Sequence, residues 1–530
     1  MTEVNPVPVR LGWRFLLVLL GGGLSVLAHA PFEWCGLGLI GLAVLPACLV
    51  GVVRTRSGFL LGLAWGLGAF LAGVSWLYVA LNRYGGVPAP LAGLAIVLFC
   101  LYLALYPALV AALFVRLRLA CSVWWGGLGF AGLWVLGEWA RGRLMTGFPW
   151  LSVGYGQTPP SPLAGYFPVL GVFGVGLLLA LLAAWLGLQL SAQWGGWRRL
   201  STGAPALVPV RWRGLGLAAA GLLLLGWGLG GVRWTTPDGA PVRVSLIQTH
   251  IDQGLKWSPE HLGEWLETNA RLAIGQAAHS DIVVLPETTL PLLADQLPAG
   301  YLDLLAGQMR MQGSDLVFGV FMRDEAGRIF NSAMSVGVSP TQSYAKHHLV
   351  PFGEYSPPLF GWFYRLAEIP MSDQSPGAAD QPPLYLQGQR VAVNICYEDV
   401  FGHELIRALP EATLMLNLSN LAWYGRSLAQ PQHLQIARAR AMEAGRPMLR
   451  ATNTGMTALV QPDGSVQAVL AQFEQGVLQV SVQGYQGLTP YARWGDSVPL
   501  SLALFALLLA GWRRPGGARA ANFASGGESQ

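Results

Sequence analysis

Residues 214–248, GLGLAAAGLLLLGWGLGGVRWTTPDGAPVRVSLIQ, carry the decision about the fold. From 214 to 232 the run holds no charged residue. A bilayer core of about 30 Å needs roughly 20 such residues in one helix, because every backbone N–H and C=O inside it must pair within the segment. After Arg233 come the turn formers Pro237, Asp238, Gly239 and Pro241, and then a β-rich run from Val242 to Gln248. The chain changes solvent at this junction.

Working outward, the whole sequence divides in the same way. Of its 530 residues 53% are hydrophobic and only 12% charged, against roughly 25% charged in soluble proteins. Of the 28 acidic residues, 22 fall between 241 and 490. An ordinary soluble enzyme is excluded, and one polar domain set into a membrane protein is expected. Charge-poor runs predict about eight spans, at 15–32, 34–53, 57–82, 91–115, 119–137, near 169–190, 214–232 and 497–512. The expected organisation is seven transmembrane helices within 1–235, an α/β domain over 240–490, an eighth helix within 495–514 and a disordered tail over 515–530.

Positively charged loops mark the cytoplasmic side of a membrane. With alternating spans, Arg10, Arg14, Arg54, Arg56, Arg116, Arg118, Arg198, Arg199, Arg211, Arg213, Arg513, Arg514 and Arg519 share one side, opposite Arg83, Arg141 and Arg143. Both termini are then expected in the cytoplasm and the 240–490 domain outside, in the periplasm of a bacterium with an inner membrane. The first span has no convincing cleavage site and reads as an anchor. These arginines account for the net charge of +5 without a nucleic-acid partner.

Within the polar domain, strands are expected at 242–248, 281–286, 315–321, 329–336, 390–395, 413–418 and 448–452, and helices at 261–278, 299–312, 403–409 and 433–444. Near-continuous apolar strands such as Ile282-Val283-Val284-Leu285 belong to sheets covered on both faces. Functional groups in such folds gather at the carboxyl ends of strands. Three ends carry useful chemistry: Glu287 after Leu285-Pro286, Lys346 after Tyr344-Ala345, and Cys396-Tyr397-Glu398 after Asn394-Ile395. Cys396 is the one cysteine of this domain, and Lys256 and Lys346 are the only lysines among 33 basic residues. A thiolate nucleophile needs a base and a positive field, which a carboxylate and an ammonium supply. Histidine as the base is the rival mechanism, although His347 and His348 read as structural or solvated. Arg438, Arg440, Glu443 and Arg446 read as ion pairs holding a helix to the sheet, and Glu138 with Arg143 as a pair at the membrane interface. No metal-ligand spacing occurs, so neither a metal nor a cofactor is expected.

The Pro286-Glu287, Lys346 and Cys396-Tyr397-Glu398 segments resemble, in order, the three motifs of the nitrilase superfamily, whose Glu-Lys-Cys triad lies on an αββα sandwich. Together with Gly147-Phe148-Pro149-Trp150-Leu151, Gly154-Tyr155-Gly156-Gln157 and Pro351-Phe352-Gly353-Glu354-Tyr355, and with the flanking spans, the chain resembles the bacterial apolipoprotein N-acyltransferase family over roughly residues 10–512. The resemblance implies a multi-pass bundle carrying a nitrilase-like domain. It implies transfer of the sn-1 acyl chain of a phospholipid such as phosphatidylethanolamine, through a cysteine thioester, to the α-amino group of a diacylglyceryl-cysteine at an apolipoprotein N-terminus, with ping-pong kinetics. Carried over, Cys396 is the nucleophile, Glu287 the base and Lys346 the oxyanion cation. Glu354, Tyr397 and Glu398 support them, and Trp257, Trp423, Trp150 and Tyr155 bind substrate. Leu421 stands where relatives commonly carry Asp. The lipid bilayer is a partner, and a monomer is expected. The apolar segment 357–364 is a candidate lipid-facing loop. A membrane-tethered amidase using water as acceptor is the alternative.

Overall fold

The computed structural model describes residues 11–193, 207–356 and 373–512. The loop arginines Arg10, Arg198, Arg199, Arg513, Arg514 and Arg519, the apolar segment 357–364 and the tail 515–530 lie outside the described residues.

Each of the first seven apolar runs folds as a helix: α1 (Leu11–Ser25), α2 (Cys35–Leu49), α3 (Thr55–Val74), α4 (Ala89–Arg116), α5 (Val123–Arg141), α6 (Phe167–Gln193) and α7 (Trp212–Leu229). Among the described residues, four helical segments are by length and composition sufficient to cross a membrane, namely Thr55–Val74, Ala89–Arg116, Pro162–Gln193 and Trp212–Leu229; Gly12–Ala28, Cys35–Leu49 and Ser497–Trp512 are apolar but shorter. The run expected to continue to residue 82 leaves α-helix after Val74 and passes into a π-helical turn at Ala80–Tyr84. Between apolar helices in lipid there is no hydrophobic drive to associate, so close backbone approach and dispersion must supply the contact. Gly58, Gly62 and Gly66 do this at four-residue spacing on one face of α3. A Cβ at Gly62 would stand 2.3 Å from the Pro107 carbonyl oxygen of α4, and one at Gly66 only 2.7 Å from Ala104 Cα.

The polar domain is built from two sheets. One runs in the order β13 (Gly476–Gln486), β1 (Thr236–Gln248), β2 (Ile282–Val284), β4 (Asp315–Arg323), β5 (Ile329–Gly337), β6 (Gln342–Ala345), with β3 (Leu290–Leu293) also on β4. The other runs β12 (Val466–Val469), β11 (Ala458–Val460), β10 (Met448–Thr452), β9 (Leu414–Ser419), β8 (Gln389–Ile395), β7 (Leu384–Leu386). Alternation along the strands sends Val244, Leu246, Ile282, Val284 and Val317 into the core between the sheets, against Val393, Ile395 and Leu416. The opposite face of the first sheet, with Ile247, Val283 and Phe318, packs on α8 (Leu262–Ala277) and α9 (Tyr301–Gln312). The outer face of the second packs on Leu434, Ala437 and Ala441 of α10 (Ala429–Ala444). The result is an αββα sandwich. The helix expected over 403–409 is shorter, an α-turn at Gly402–Leu405 followed by a 3-10 turn at Ile406–Ala408, because Pro410 blocks its continuation.

The domain enters and leaves at one place: β1 and β13 pair antiparallel, with Thr236 opposite Gln486. The chain then returns to the bundle through α11 (Ser497–Trp512), which lies on α5. A Cβ at Gly132 of α5 would be 2.5 Å from the Ala503 carbonyl oxygen. Tyr397, Phe401, Ile436 and Met442 of the polar domain share one continuous apolar cluster with the helices. Two sequence expectations about charge are corrected here. The α10 cations do not mainly tie that helix to the sheet: Arg440 pairs with Glu443 at 2.7 Å, Glu443 accepts the Val172 N–H of α6 at 2.7 Å, and Arg438 reaches Glu33 at 2.6 Å. Toward the polar domain, Arg446 reaches the carbonyls of Ala412 and Gly487, and Arg438 Nε reaches the Gly464 carbonyl between β11 and β12. Nor does Glu138 meet Arg143. It faces Arg141, one turn along the same helix at 3.8 Å, whereas Arg143 lies past the helix end and reaches Asp496 at 3.2 Å.

Candidate active site

Three strand ends converge. β2 runs through Leu285-Pro286 to Glu287, β6 ends one residue before Lys346, and β8 ends one residue before Cys396. Gly319 on β4 lets the first of these turns pass close by, since a Cβ there would stand 2.3 Å from the Thr288 amide nitrogen. Cys396 itself adopts φ 53°, in the left-handed region that a non-glycine residue enters at a cost of about 1–3 kcal/mol. The strand thus breaks sharply at the thiol.

Around it the charges are paired but not neutralised. Lys346 Nζ stands 2.6 Å from Glu354 Oε1 and 3.5 Å from Glu287 Oε1. Asn331 Nδ2 donates to Glu287 Oε1 at 2.8 Å and to Glu354 Oε1 at 3.3 Å. The Asn420 N–H donates to Glu287 Oε2 at 2.7 Å and also faces the Cys396 sulfur, so one backbone donor bridges the two. The Val350 N–H fixes the other oxygen of Glu354 at 2.7 Å. Lys346, Glu287 and Asn331 are all buried.

Burial pushes the Cys396 thiol well above the usual range, and the Glu287 carboxylate pushes it further in the same direction; Lys346 and the Asn420 N–H pull it down. Burial alone would lower the Lys346 ammonium, but Glu354 and Glu287 overcome that and hold it above its ordinary value. The resting arrangement is therefore a protonated thiol beside a carboxylate, with a fixed cation opposite. Such a group can attack a carbonyl carbon only while handing its proton to the carboxylate.

Glu398 joins the nucleophile turn to the lysine loop. Its Oε2 accepts the Ile395 N–H at 2.6 Å, while Oε1 accepts the His347 N–H at 2.7 Å, the His348 N–H at 3.1 Å and the Tyr344 hydroxyl at 2.9 Å. Tyr397 donates its hydroxyl to the Gly147 carbonyl of the bundle at 3.0 Å. The two adjacent histidines are engaged elsewhere: His347 Nδ1 faces the Gly377 carbonyl, and His348 lies between Glu404 and the Thr146 carbonyl.

The four aromatic candidates separate. Trp150 and Tyr155 are buried on the bundle side. Trp150 Nε1 donates to Gln432 Oε1 at 2.8 Å, and the Tyr155 hydroxyl donates to the Val400 carbonyl at 3.2 Å while accepting from Arg440. Trp423 is half-buried two residues past Leu421, which is itself buried, and its ring meets Tyr84 of the π-helical turn edge-on at 5.9 Å. Trp257 packs against Phe321 at 5.9 Å, beside Lys256.

Sequence reasoning missed Asn331 and assigned nothing to Lys256, Asp399, His433 or Arg450. Lys256 donates to Thr288 Oγ1 at 2.5 Å, and burial brings it down to about 8. The lysine scarcity was the available signal for Lys256, and a lone Asn within the apolar run Ile329–Gly337 was the signal for Asn331.

Comparison with known proteins gives two matching family descriptions. "Apolipoprotein N-acyltransferase N-terminal domain" covers residues 21–185, and "Carbon-nitrogen hydrolase" covers residues 243–491. Apolipoprotein N-acyltransferase of Nitrosomonas europaea is 46% identical over 94% of this chain and 97% of its own length. Those of Chromobacterium violaceum and Ralstonia nicotianae are 43% and 42% identical, over 96% and 97% of this chain and 96% of each relative.

Proposed function

The chain belongs to the apolipoprotein N-acyltransferase family, and from that membership we propose that it moves an acyl chain from a membrane phospholipid, typically the sn-1 chain of phosphatidylethanolamine, to the N-terminal amine of a diacylglyceryl-cysteine lipoprotein. The observation that carries this reading is the convergence of Glu287, Lys346 and Cys396 on a turn that rests against the apolar helices, with Tyr397 bonded to Gly147.

In the first half-reaction Cys396 Sγ attacks the ester carbonyl carbon as Glu287 takes the thiol proton. Lys346 faces the oxyanion. Collapse breaks the bond to the glycerol oxygen, which takes the proton from Glu287 and leaves as lysophospholipid. In the second, the lipoprotein amine attacks the thioester carbonyl, Glu287 receives its proton, and the Cys396 thiolate departs and is reprotonated. The thioester keeps the acyl group activated between the two substrates without ATP. Ping-pong kinetics follow. Glu354 sets the lysine, Glu398 fixes the turn, and Trp257 and Trp423 flank the approach. The arginine-rich loops on the other side support a periplasmic location for the polar domain.

The test is direct. Purified protein incubated with phosphatidylethanolamine micelles is digested, and the Cys396 peptide is examined by mass spectrometry. A hydroxylamine-labile fatty-acyl adduct on the wild type, absent from Cys396→Ala, is expected. No adduct on the wild type, with release of ammonia from a soluble amide instead, overturns the transferase in favour of an amidase.

A further inference from the structure

Behind the nucleophile lies a second cluster of ionisable side chains that the reaction above does not use. Asp399, His433 and Arg450 are each 0% exposed. Arg450 donates through Nη1 to Asp399 Oδ2 at 2.8 Å and through Nη2 to His433 Nδ1 at 3.0 Å. A guanidinium has no acceptor, so Nδ1 must be the unprotonated nitrogen and Nε2 must carry the hydrogen. That N–H lies 2.6 Å from Asp399 Oδ1 and 3.2 Å from the Cys396 carbonyl oxygen. The arginine therefore fixes the histidine in one neutral tautomer, whose single N–H is shared between Asp399 Oδ1, the nearer acceptor, and the backbone carbonyl of the nucleophile. Burial keeps the ring below its ordinary pKa, in keeping with a neutral imidazole.

The target of that donor matters. Cys396 holds φ 53°, and its carbonyl is gripped by two donors, His433 Nε2 and Asn417 Nδ2, each at 3.2 Å. A strained conformation persists only where its surroundings over-determine it. From the far side, Trp150 of the bundle stacks on the His433 ring, centroids 5.5 Å apart and planes 28° from parallel, and is held there by Gln432. We propose that Asp399, His433 and Arg450 are positioning residues that lock the Cys396 turn, and that Trp150 carries this lock into the membrane bundle. His433 is thereby not the general base: it addresses the carbonyl of Cys396, while the Asn420 N–H and the charges of Glu287 and Lys346 surround the sulfur.

The proposal rests on Cys396 being the nucleophile, and its test separates the two. The rate of iodoacetamide alkylation of Cys396 in the full-length protein in detergent is followed against pH by peptide mass spectrometry. With the lock released, the thiol drifts from Lys346 and the Asn420 N–H, so His433→Leu should raise the pH midpoint and slow alkylation at pH 7.5 at least tenfold. His433→Gln, whose amide nitrogen can occupy the place of Nε2, should remain within about threefold of wild type. A merely structural role would lower the stability of both variants without moving the midpoint. If His433→Leu does not purify, Arg450→Lys serves instead, since one ammonium cannot hold Asp399 and His433 as the two-pronged guanidinium does; the same upward shift is expected. A reactive Cys396 whose midpoint is indifferent to these changes, or is moved equally by Leu and Gln at 433, overturns the lock alone. A wild-type Cys396 that carries no hydroxylamine-labile acyl adduct after incubation with phosphatidylethanolamine overturns the nucleophile assignment and the lock with it.

Discussion

Lys346 leans toward Glu354: their charged atoms are 2.6 Å apart, whereas Glu287 lies 3.5 Å from the same ammonium. Glu354 thus carries most of the ion pair and leaves Glu287 freer to accept a proton. Glu354→Gln should pull the lysine onto Glu287 and weaken the base. We expect kcat to fall roughly tenfold to a hundredfold with KM little changed, a loss of the size small misplacements produce. Single-turnover acylation of Cys396 measures it, and an unaltered rate would remove Glu354 from the site.

Glu398 satisfies three backbone N–H groups and one hydroxyl at once. Glu398→Gln must turn its NH2 toward either the Ile395 N–H or the three donors that converge on Oε1, so at least one backbone donor loses its acceptor. The lysine loop and the nucleophile turn should separate slightly, and about a hundredfold of activity should be lost. Retained near-wild-type acylation would show that the two loops hold their geometry without this carboxylate.

Burial brings Lys256 to about 8 in the folded protein against 10.5 in the unfolded chain. Between those values the unfolded chain binds the extra proton, so this group makes stability rise with pH from about 8 to 10.5, and below about 8 the fold bears the full cost of a buried ammonium. Lys256→Met removes that dependence. The Tm difference, variant minus wild type, should be most positive near pH 7 and decline steadily toward pH 10 in thermal scans in detergent. A flat difference contradicts the argument.

Glu443 and Arg440 are buried against α6, and the glutamate also accepts the Val172 N–H. Glu443→Gln leaves a buried guanidinium without its counterion and should destabilise the protein by about 3–5 kcal/mol. Arg440→Met combined with Glu443→Leu should be milder than either single change, because no charge remains to be desolvated. Thermal unfolding of Glu443→Gln, of the two single changes and of their combination gives the comparison.

The parts of this protein that were legible in its sequence share one property: a signal dense along the chain. Charge-free runs located the helices, and the apolar strands flanking Glu287 and Cys396 located the layered α/β domain. β13 was passed over even though Leu478, Val480 and Val482 alternate with polar residues, because its partner β1 lies more than two hundred residues earlier and nothing local announces the pairing. β7 and β11 span three residues each, too few for a period to show. Asp399, His433 and Arg450 were invisible for a related reason. Asp399 follows Glu398, His433 lies among the glutamines of α10 and Arg450 lies within β10, and only the fold brings the acid, the imidazole and the guanidinium together. Arg438 and Arg440 were read as facing the sheet because a helix pattern gives a stripe but not the neighbour beyond it.

The seat of α11 on α5 has a bearing on how the protein is made. α7 ends at Leu229 and α11 begins at Ser497, so the entire polar domain is synthesised between them. At roughly 5–20 residues per second this interval lasts on the order of ten to fifty seconds. For that time the groove at Gly129 and Gly132, which α11 finally fills with Ala510 and Ala503, lacks its partner helix. The last helix thus closes the bundle only after the sandwich has been synthesised, which makes α11 a late step in assembly: chains truncated before Ser497 should carry every candidate catalytic residue and still leave the α5 groove open.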